Sequence, residues 1–176
     1  MTTDWINDFR TKGYAKFSEI DLANMVDIDK VVFHYHEERL RDNFKDNLPA
    51  EVVKQMELVR VYLTQKYIDA AFKDYEFMNY VVAEGVDADS SIWHNDGFEG
   101  GSVFFLFYFD DQHEETAGEV EFRWPNGGHA KYYPKKGDLI LLNQTPGFFH
   151  RASKSKIPRR LSSFTYNVEH SELLPK

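Results

Sequence analysis

A mainly β fold preceded by helices, with those helices covering one outer face of a sheet, is the architecture this sequence predicts, and three observations carry it. Aromatic residues are abundant, with 15 Phe and 10 Tyr, and broad rings pack well across pleated sheets. After Asp74 the chain becomes a series of short runs rich in Phe, Tyr, Val and Ile, separated by Gly, Asn, Asp and Pro. Regularly spaced short strands of this kind indicate a sandwich or barrel. Before Asp74 the apolar spacing is mostly helical, so the fold class is α+β with the helices N-terminal.

Taken in order, residues 4–12 read as a short helix with Trp5, Ile6 and Phe9 on its apolar face. Gly13 ends it, and Tyr14 to Phe17 alternates like a first strand. From about Ser18 to Asn43 the recurrence of Val31, Val32, Tyr35 and Leu40 predicts helix. A second helix is better marked, with Asn47 as its cap, Pro49 in its first turn, and a buried stripe through Val52, Val53, Met56, Val59, Leu63 and Tyr67 to about Phe72. Eight strands follow, at roughly 77–84, 90–95, 102–110, 118–124, 129–133, 138–142, 147–152 and 160–168. Asn126-Gly127-Gly128 and Lys136-Gly137-Asp138 are tight-turn signals between them. A hairpin turning near Ser153 to Lys156 is expected to bring the last two strands together.

The 176 residues suit one domain, 1–176, with 1–75 supplying supporting helices and the first strand and 76–168 the strand core. Cysteine is absent, which excludes a disulfide framework and zinc-thiolate sites and leaves any metal to His and carboxylate. The formal net charge of −8 argues against nucleic acid as a partner, because phosphate binding relies on clustered Lys and Arg. The one basic cluster, from Arg151 to Arg160, reads as a solvated loop. No apolar run approaches membrane-spanning length, and the start lacks a basic region followed by an apolar stretch. A soluble, cytoplasmic protein with no membrane partner is the expectation.

Chemistry concentrates on Trp93-His94-Asn95-Asp96. On a strand, His94 and Asp96 share a face, which sets an imidazole beside a carboxylate. A second imidazole from another strand, His150, would complete a two-histidine, one-carboxylate set with its other side open, the arrangement of non-haem Fe(II) oxygen sites. On the last strand Arg160, Ser162 and Phe164 share one face, and Arg159, Leu161 and Ser163 the other. Arg160 and Ser162 are the expected holders of a carboxylate beside the metal. By itself His-x-Asp is a common surface pair, but with His150 and Arg160 at these positions it reads as a metal site. His34-x-His36-Glu37 falls in the helical region, where i and i+2 diverge, and reads as a solvated face. His129 reads as a surface turn residue, Trp93 and Trp124 as packing, and Asp110-Asp111 as solvated loop.

Together these segments resemble the 2-oxoglutarate- and Fe(II)-dependent dioxygenase family over about residues 77–168. The likeness rests on His94-Asn95-Asp96, the distal His150 and Arg160-Leu161-Ser162, with Ala117-Gly118-Glu119-Val120-Glu121-Phe122 and Pro134 to Leu142 as flanking phrases. It implies a double-stranded β-helix, the cupin-like jelly roll. It also implies Fe(II) held by His94, Asp96 and His150, and 2-oxoglutarate as cosubstrate with its far carboxylate on Arg160 and Ser162. Dioxygen would be consumed, with succinate and carbon dioxide released. Several members add a tyrosine hydroxyl to that carboxylate; Tyr80 and Tyr108 are the candidates here, unless Phe107 takes the position. Ala117 stands where the family commonly has a first glycine.

Within the resemblance, Asp96 disfavours halogenation, for which members lack the carboxylate. Tyr166 stands where the nucleic-acid demethylase branch has a second arginine, and H-x-D differs from the H-x-E of histone demethylases. A hydroxylase acting on a protein or peptide side chain such as proline, or on a small metabolite, remains, and the compact size leans toward the prolyl-hydroxylase-like branch. The alternative from another class is a jelly-roll module that binds metal or ligand without catalysis. A cupin-type isomerase would take more histidines near position 94 than are present.

Overall fold

The computed structural model describes residues 4–33, 41–85, 92–96 and 101–173, with 4 and 41–44 as backbone alone. Helix α1 (Asp4–Lys12) buries Phe9 completely and stops at Gly13. The φ of +80° at Gly13 suits a residue without a side chain, and its N–H closes on Phe9 O at 2.9 Å. The chain then enters β1 (Tyr14–Ser18). Among the described residues, the helix expected from Ser18 to Asn43 is realised as α2 (Ile20–Met25) and a 3₁₀ turn at Ile28–Lys30, while Arg41–Phe44 forms strand β2; Tyr35 and Leu40 lie outside the described residues. β2 pairs antiparallel with β3, so its backbone is satisfied by a ladder that local spacing could not announce. His34, His36 and Glu37 lie outside the described residues.

Helix α3 (Ala50–Leu63) runs through a π turn, Thr64–Ile68, into α4 (Asp69–Ala71). Val52, Met56, Val59 and Leu63 are fully buried, forming the expected stripe, and each contributes about 1.5–3 kcal/mol by leaving water. Asn47 ends a 3₁₀ turn instead of capping the helix, and Pro49 precedes Ala50 with no side-chain cap bond. At the π turn Thr64 Oγ1 donates to Arg60 O at 2.9 Å and stands 2.9 Å from the Tyr166 hydroxyl, fastening helix to sheet. Glu19 makes a second fastening. It accepts from Lys66 Nζ at 2.7 Å, from the Tyr62 hydroxyl at 3.0 Å and from the Tyr67 hydroxyl. Burial alone would raise the Glu19 pKa, but these donors outweigh it and hold the carboxyl below its usual value.

The remaining strands are β3 (Tyr75–Glu84), β4 (Ser102–Tyr108), β5 (Val120–Arg123), β6 (His129–Tyr132), β7 (Asp138–Asn143), β8 (Phe149–Ala152) and β9 (Arg160–Val168), before α5 (His170–Leu173). They form a six-stranded sheet in the order β1-β7-β4-β9-β3-β2 and a three-stranded sheet in the order β6-β5-β8, antiparallel throughout. Seven of the eight expected strands are thus present. The one expected at 90–95 is realised, among the described residues, as a single antiparallel bridge between His94 and His150 on the free side of β8. From β3 onward the chain passes back and forth between the two sheets, which makes the architecture a double-stranded β-helix, or jelly roll. β8 and β9 are not a hairpin: they lie in different sheets, and residues 153–159 cross between them.

Alternation along the large sheet creates two apolar layers. Val103, Phe105, Phe107, Leu139, Leu141, Phe164 and Tyr166 face the helices. Phe104, Tyr108, Ile140 and Leu142 face the small sheet, where Val120 and Phe122 meet them. β7 is buried along its whole length and contributes to both layers.

Candidate metal centre and anion pocket

His94 is fixed by the bridge, where its N–H donates to His150 O and its carbonyl accepts from the His150 N–H, both at 3.0 Å. Its Nδ1 lies 2.7 Å from Ile92 O, so Nδ1 carries the proton and Nε2 keeps its lone pair. His150 sits on β8 directly opposite Phe122 of β5 and therefore faces the space between the sheets. Asp96 lies two residues beyond the bridge. Its Oδ1 is 3.9 Å from His94 Nε2 and its Oδ2 is 3.3 Å from His150 Nε2. One donor atom from each of the three falls within 4.8 Å of the others.

Burial pushes the Asp96 carboxyl upward, but the two imidazoles, His150 above all, outweigh it and hold the pKa below the ordinary carboxylate range. The Asp96 side chain remains 45% exposed, so one side of the cluster is open. Two imidazole nitrogens and a carboxylate, with no sulfur, suit a divalent ion of the iron, cobalt, nickel or manganese type with positions left for other ligands.

Beside the cluster lies a cavity of about 250 Å³ between the sheets. Its walls are apolar, formed by Val81, Phe104, Leu106, Val120, Ala152 and Leu161, and its polar groups besides the cluster include Tyr108, Arg159 and Ser163. Arg159 is the distinctive one. It is 2% exposed, and among the described residues its guanidinium donates only to the carbonyls of Ser153 at 3.0 Å and Gly118 at 3.5 Å. Its Nε has no partner, and no carboxylate pairs with it, among the described residues. Desolvation lowers its pKa. A buried cation without a counter-charge is costly, and a bound anion would satisfy it. Tyr108, also buried, has its pKa pushed up to about 12 by desolvation and so stays protonated as a donor. The residues fit a metal ion together with a small anionic ligand.

The structure brings His94, Asp96, His150 and Tyr108 to this one place, and corrects the expectation for three others. Arg160 points to the opposite face, where Nε, Nη2 and its backbone N–H hold Asp110 at 2.6–3.2 Å and Nη1 reaches Asp29 at 2.5 Å. Ser162 lies opposite Val82 and Phe107 on the helix-facing side, buried, with its hydroxyl unpaired among the described residues. Tyr80 is likewise in the helix-facing layer, as is Phe107, whereas Tyr108 opens on the cavity. Alternation divides β9 into the two expected faces, but the face turned to the cavity is the opposite of the one expected. Phe164, Tyr166 and Val168 make their face the more apolar, so it packs on the helices and leaves Arg159, Leu161 and Ser163 to the cavity.

No protein-family model matches the chain, and no curated protein sequence matches it significantly. Solved structures do. A prolyl hydroxylase from Trichoplax adhaerens, in complex with a hypoxia inducible factor oxygen degradation domain peptide fragment, matches 96% of this chain and 89% of its own at 15% identity and a TM-score of 0.72. An oxidoreductase of the 2OG-Fe(II) oxygenase family from Burkholderia pseudomallei covers 95% and 91% at 12% identity, also with a TM-score of 0.72. HygX from Streptomyces hygroscopicus, with nickel and 2-oxoglutarate bound, covers 96% and 87% at 12% identity and a TM-score of 0.65. At these identities the likeness establishes a shared fold, the jelly roll described above.

Proposed function

We propose that this chain is a Fe(II)- and 2-oxoglutarate-dependent oxygenase that hydroxylates a C–H bond, with a prolyl or other side chain of a peptide, or a small metabolite, as substrate. The observation that carries the reading is Arg159, a buried cation with an unpaired Nε, in the same cavity as the His94, Asp96 and His150 cluster. A ligand that bridges a metal and a guanidinium needs a chelating group at one end and a carboxylate at the other, and 2-oxoglutarate has both.

His94, Asp96 and His150 would hold the ion, with Ile92 O keeping the His94 Nε2 lone pair available. Arg159 would take the far carboxylate of the cosubstrate, with the Tyr108 hydroxyl as a second donor; both are rigid and already desolvated, so little reorganisation accompanies binding. The apolar walls exclude water and strengthen that charge pairing. When bound, iron and 2-oxoglutarate supply the oxidising chemistry, in which dioxygen is consumed, succinate and carbon dioxide leave and one oxygen atom is placed on substrate carbon. The exposed side of Asp96 is where the substrate would approach. Similarity to a peptide-bound prolyl hydroxylase supports proline-containing peptides as the first substrates to try.

Succinate release by the Fe(II)-loaded protein, screened with and without proline-containing peptides and free amino acids, tests the proposal. Stimulation by a peptide set supports the peptide-hydroxylase reading, and stimulation by amino acids alone redirects it to metabolites. Absence of 2-oxoglutarate-dependent succinate under every condition contradicts it.

A further inference from the structure

Asn95 is the residue of the H-x-D segment whose side chain turns away from the metal cluster, and its surroundings give it a specific task. Among the described residues, the ladder that ties this segment to β8 is the pair of backbone hydrogen bonds at the His94 bridge. Asp96 lies two residues past that bridge, with its side chain 45% exposed. Two bonds at one residue do not determine where a carboxylate two residues later will stand.

Side-chain amides supply what the ladder lacks. Asn95 Nδ2 donates to Thr145 O at 2.9 Å and to Phe148 O at 2.7 Å, and Gln144 Oε1 accepts the Asp96 backbone N–H at 3.0 Å. Both anchors belong to the connection between β7 and β8, whose base is buried: Asn143, Gln144 and Thr145 are 2–3% exposed. That connection is itself held, since Asn143 Oδ1 accepts from Thr145 N and Oγ1 at 2.9 and 2.8 Å while Asn143 Nδ2 donates to Leu173 O in α5 at 3.0 Å. The Gln144 amide has one usable orientation, because its oxygen must meet the Asp96 N–H; its Nε2 has no partner among the described residues. The same connection leads directly into β8 and His150, so one buried loop references all three ligands to a common frame.

The geometry points to Asn95 and Gln144 as positioning residues for the metal: a latch that sets the Asp96 carboxylate against the two imidazoles before any ion arrives. This inference rests on the metal reading above. Outer partners that orient ligands typically change metal affinity by about 10–100-fold when removed, and the near-isosteric changes Asn95→Leu and Gln144→Met should each weaken binding by about tenfold or more.

The test is calorimetric titration of the metal-free protein with Ni(II), with the thermal midpoint of each metal-free variant measured in parallel. Thr64→Val, which removes a helix-to-sheet hydrogen bond on the far side of the large sheet, serves as the structural control; it should lower the midpoint and leave the Ni(II) affinity unchanged. Weakened Ni(II) binding in Asn95→Leu or Gln144→Met, at a midpoint no lower than that of Thr64→Val, supports the latch. Wild-type affinity in both, with His94→Ala unable to bind, overturns the latch and leaves the metal site standing. Equal binding by wild type and His94→Ala overturns the metal reading itself. Gln144→Met carries the test should Asn95→Leu fail to fold.

Discussion

Arg159 is 2% exposed with an unpaired Nε, while its neighbour Arg160 engages two carboxylates, Asp110 and Asp29. The two should therefore respond oppositely to truncation. Arg159→Met removes an uncompensated buried cation, so the metal-free protein should melt at the same temperature or higher. Its 2-oxoglutarate affinity in the Ni(II)-loaded form should fall at least about thirtyfold, or ~2 kcal/mol. Arg160→Met should cost about 1–2 kcal/mol of stability and change that affinity less than about threefold. Thermal melts and ligand titration of both variants check the pair, and reversed roles would return the carboxylate to Arg160. Period-two alternation made both faces of β9 legible in the sequence. The choice between them is hidden because Asp110, the partner that draws Arg160 outward, reads in the sequence as a solvated loop residue. Asn95 was opaque for a related reason: its partners are backbone carbonyls fifty residues away, which carry no residue-type signal.

Among the elements, the strands were the most readable and the segment from Ser18 to Asn43 the least. Strands such as β7 announce themselves by an unbroken apolar run, whereas β2 exists because the edge of β3 is available to it, a fact of topology. The crossing from β8 to β9 is not legible in the sequence, because a short polar segment between two strands reads as a hairpin whichever sheet each strand joins. Ahead of β5, Ala117 occupies the first of two successive positions where the family resemblance leads one to expect glycines, and it adopts φ +58° and ψ −150°. That region is nearly restricted to glycine and costs a residue with a side chain about 1–3 kcal/mol. Ala117→Gly should accordingly stabilise the protein by about 1 kcal/mol after the added chain entropy of glycine is deducted, measurable as a higher urea midpoint at unchanged slope. A lower midpoint would mean that the strain is not relieved there.

Over the whole molecule, helices, large sheet, cavity and small sheet form successive layers, and the polar fastenings between them set the response to acid. The carboxyls of Glu19, Glu57 and Glu119 are all held below their usual pKa: burial would raise each, and donors from Lys, Arg, Tyr or Ser outweigh it. A depressed folded-state pKa contributes stability that is fully present above the unfolded value, about 4.3 for Glu, and is lost as pH falls through the folded value. Stability should hold near neutral pH and decline below about pH 4 to 5, with a shallower decline in Glu19→Gln, as followed by urea unfolding across that range. An unchanged acid slope in Glu19→Gln would place the sensitivity elsewhere.

The central claim, that His94, Asp96 and His150 hold a metal onto which a 2-oxo acid anchored by Arg159 is delivered, is tested most directly without any substrate. Anaerobic addition of Fe(II) and then 2-oxoglutarate to the metal-free protein should produce a weak visible charge-transfer band in the wild type and none in His94→Ala. No band in the wild type, or an unchanged band in His94→Ala, would contradict it.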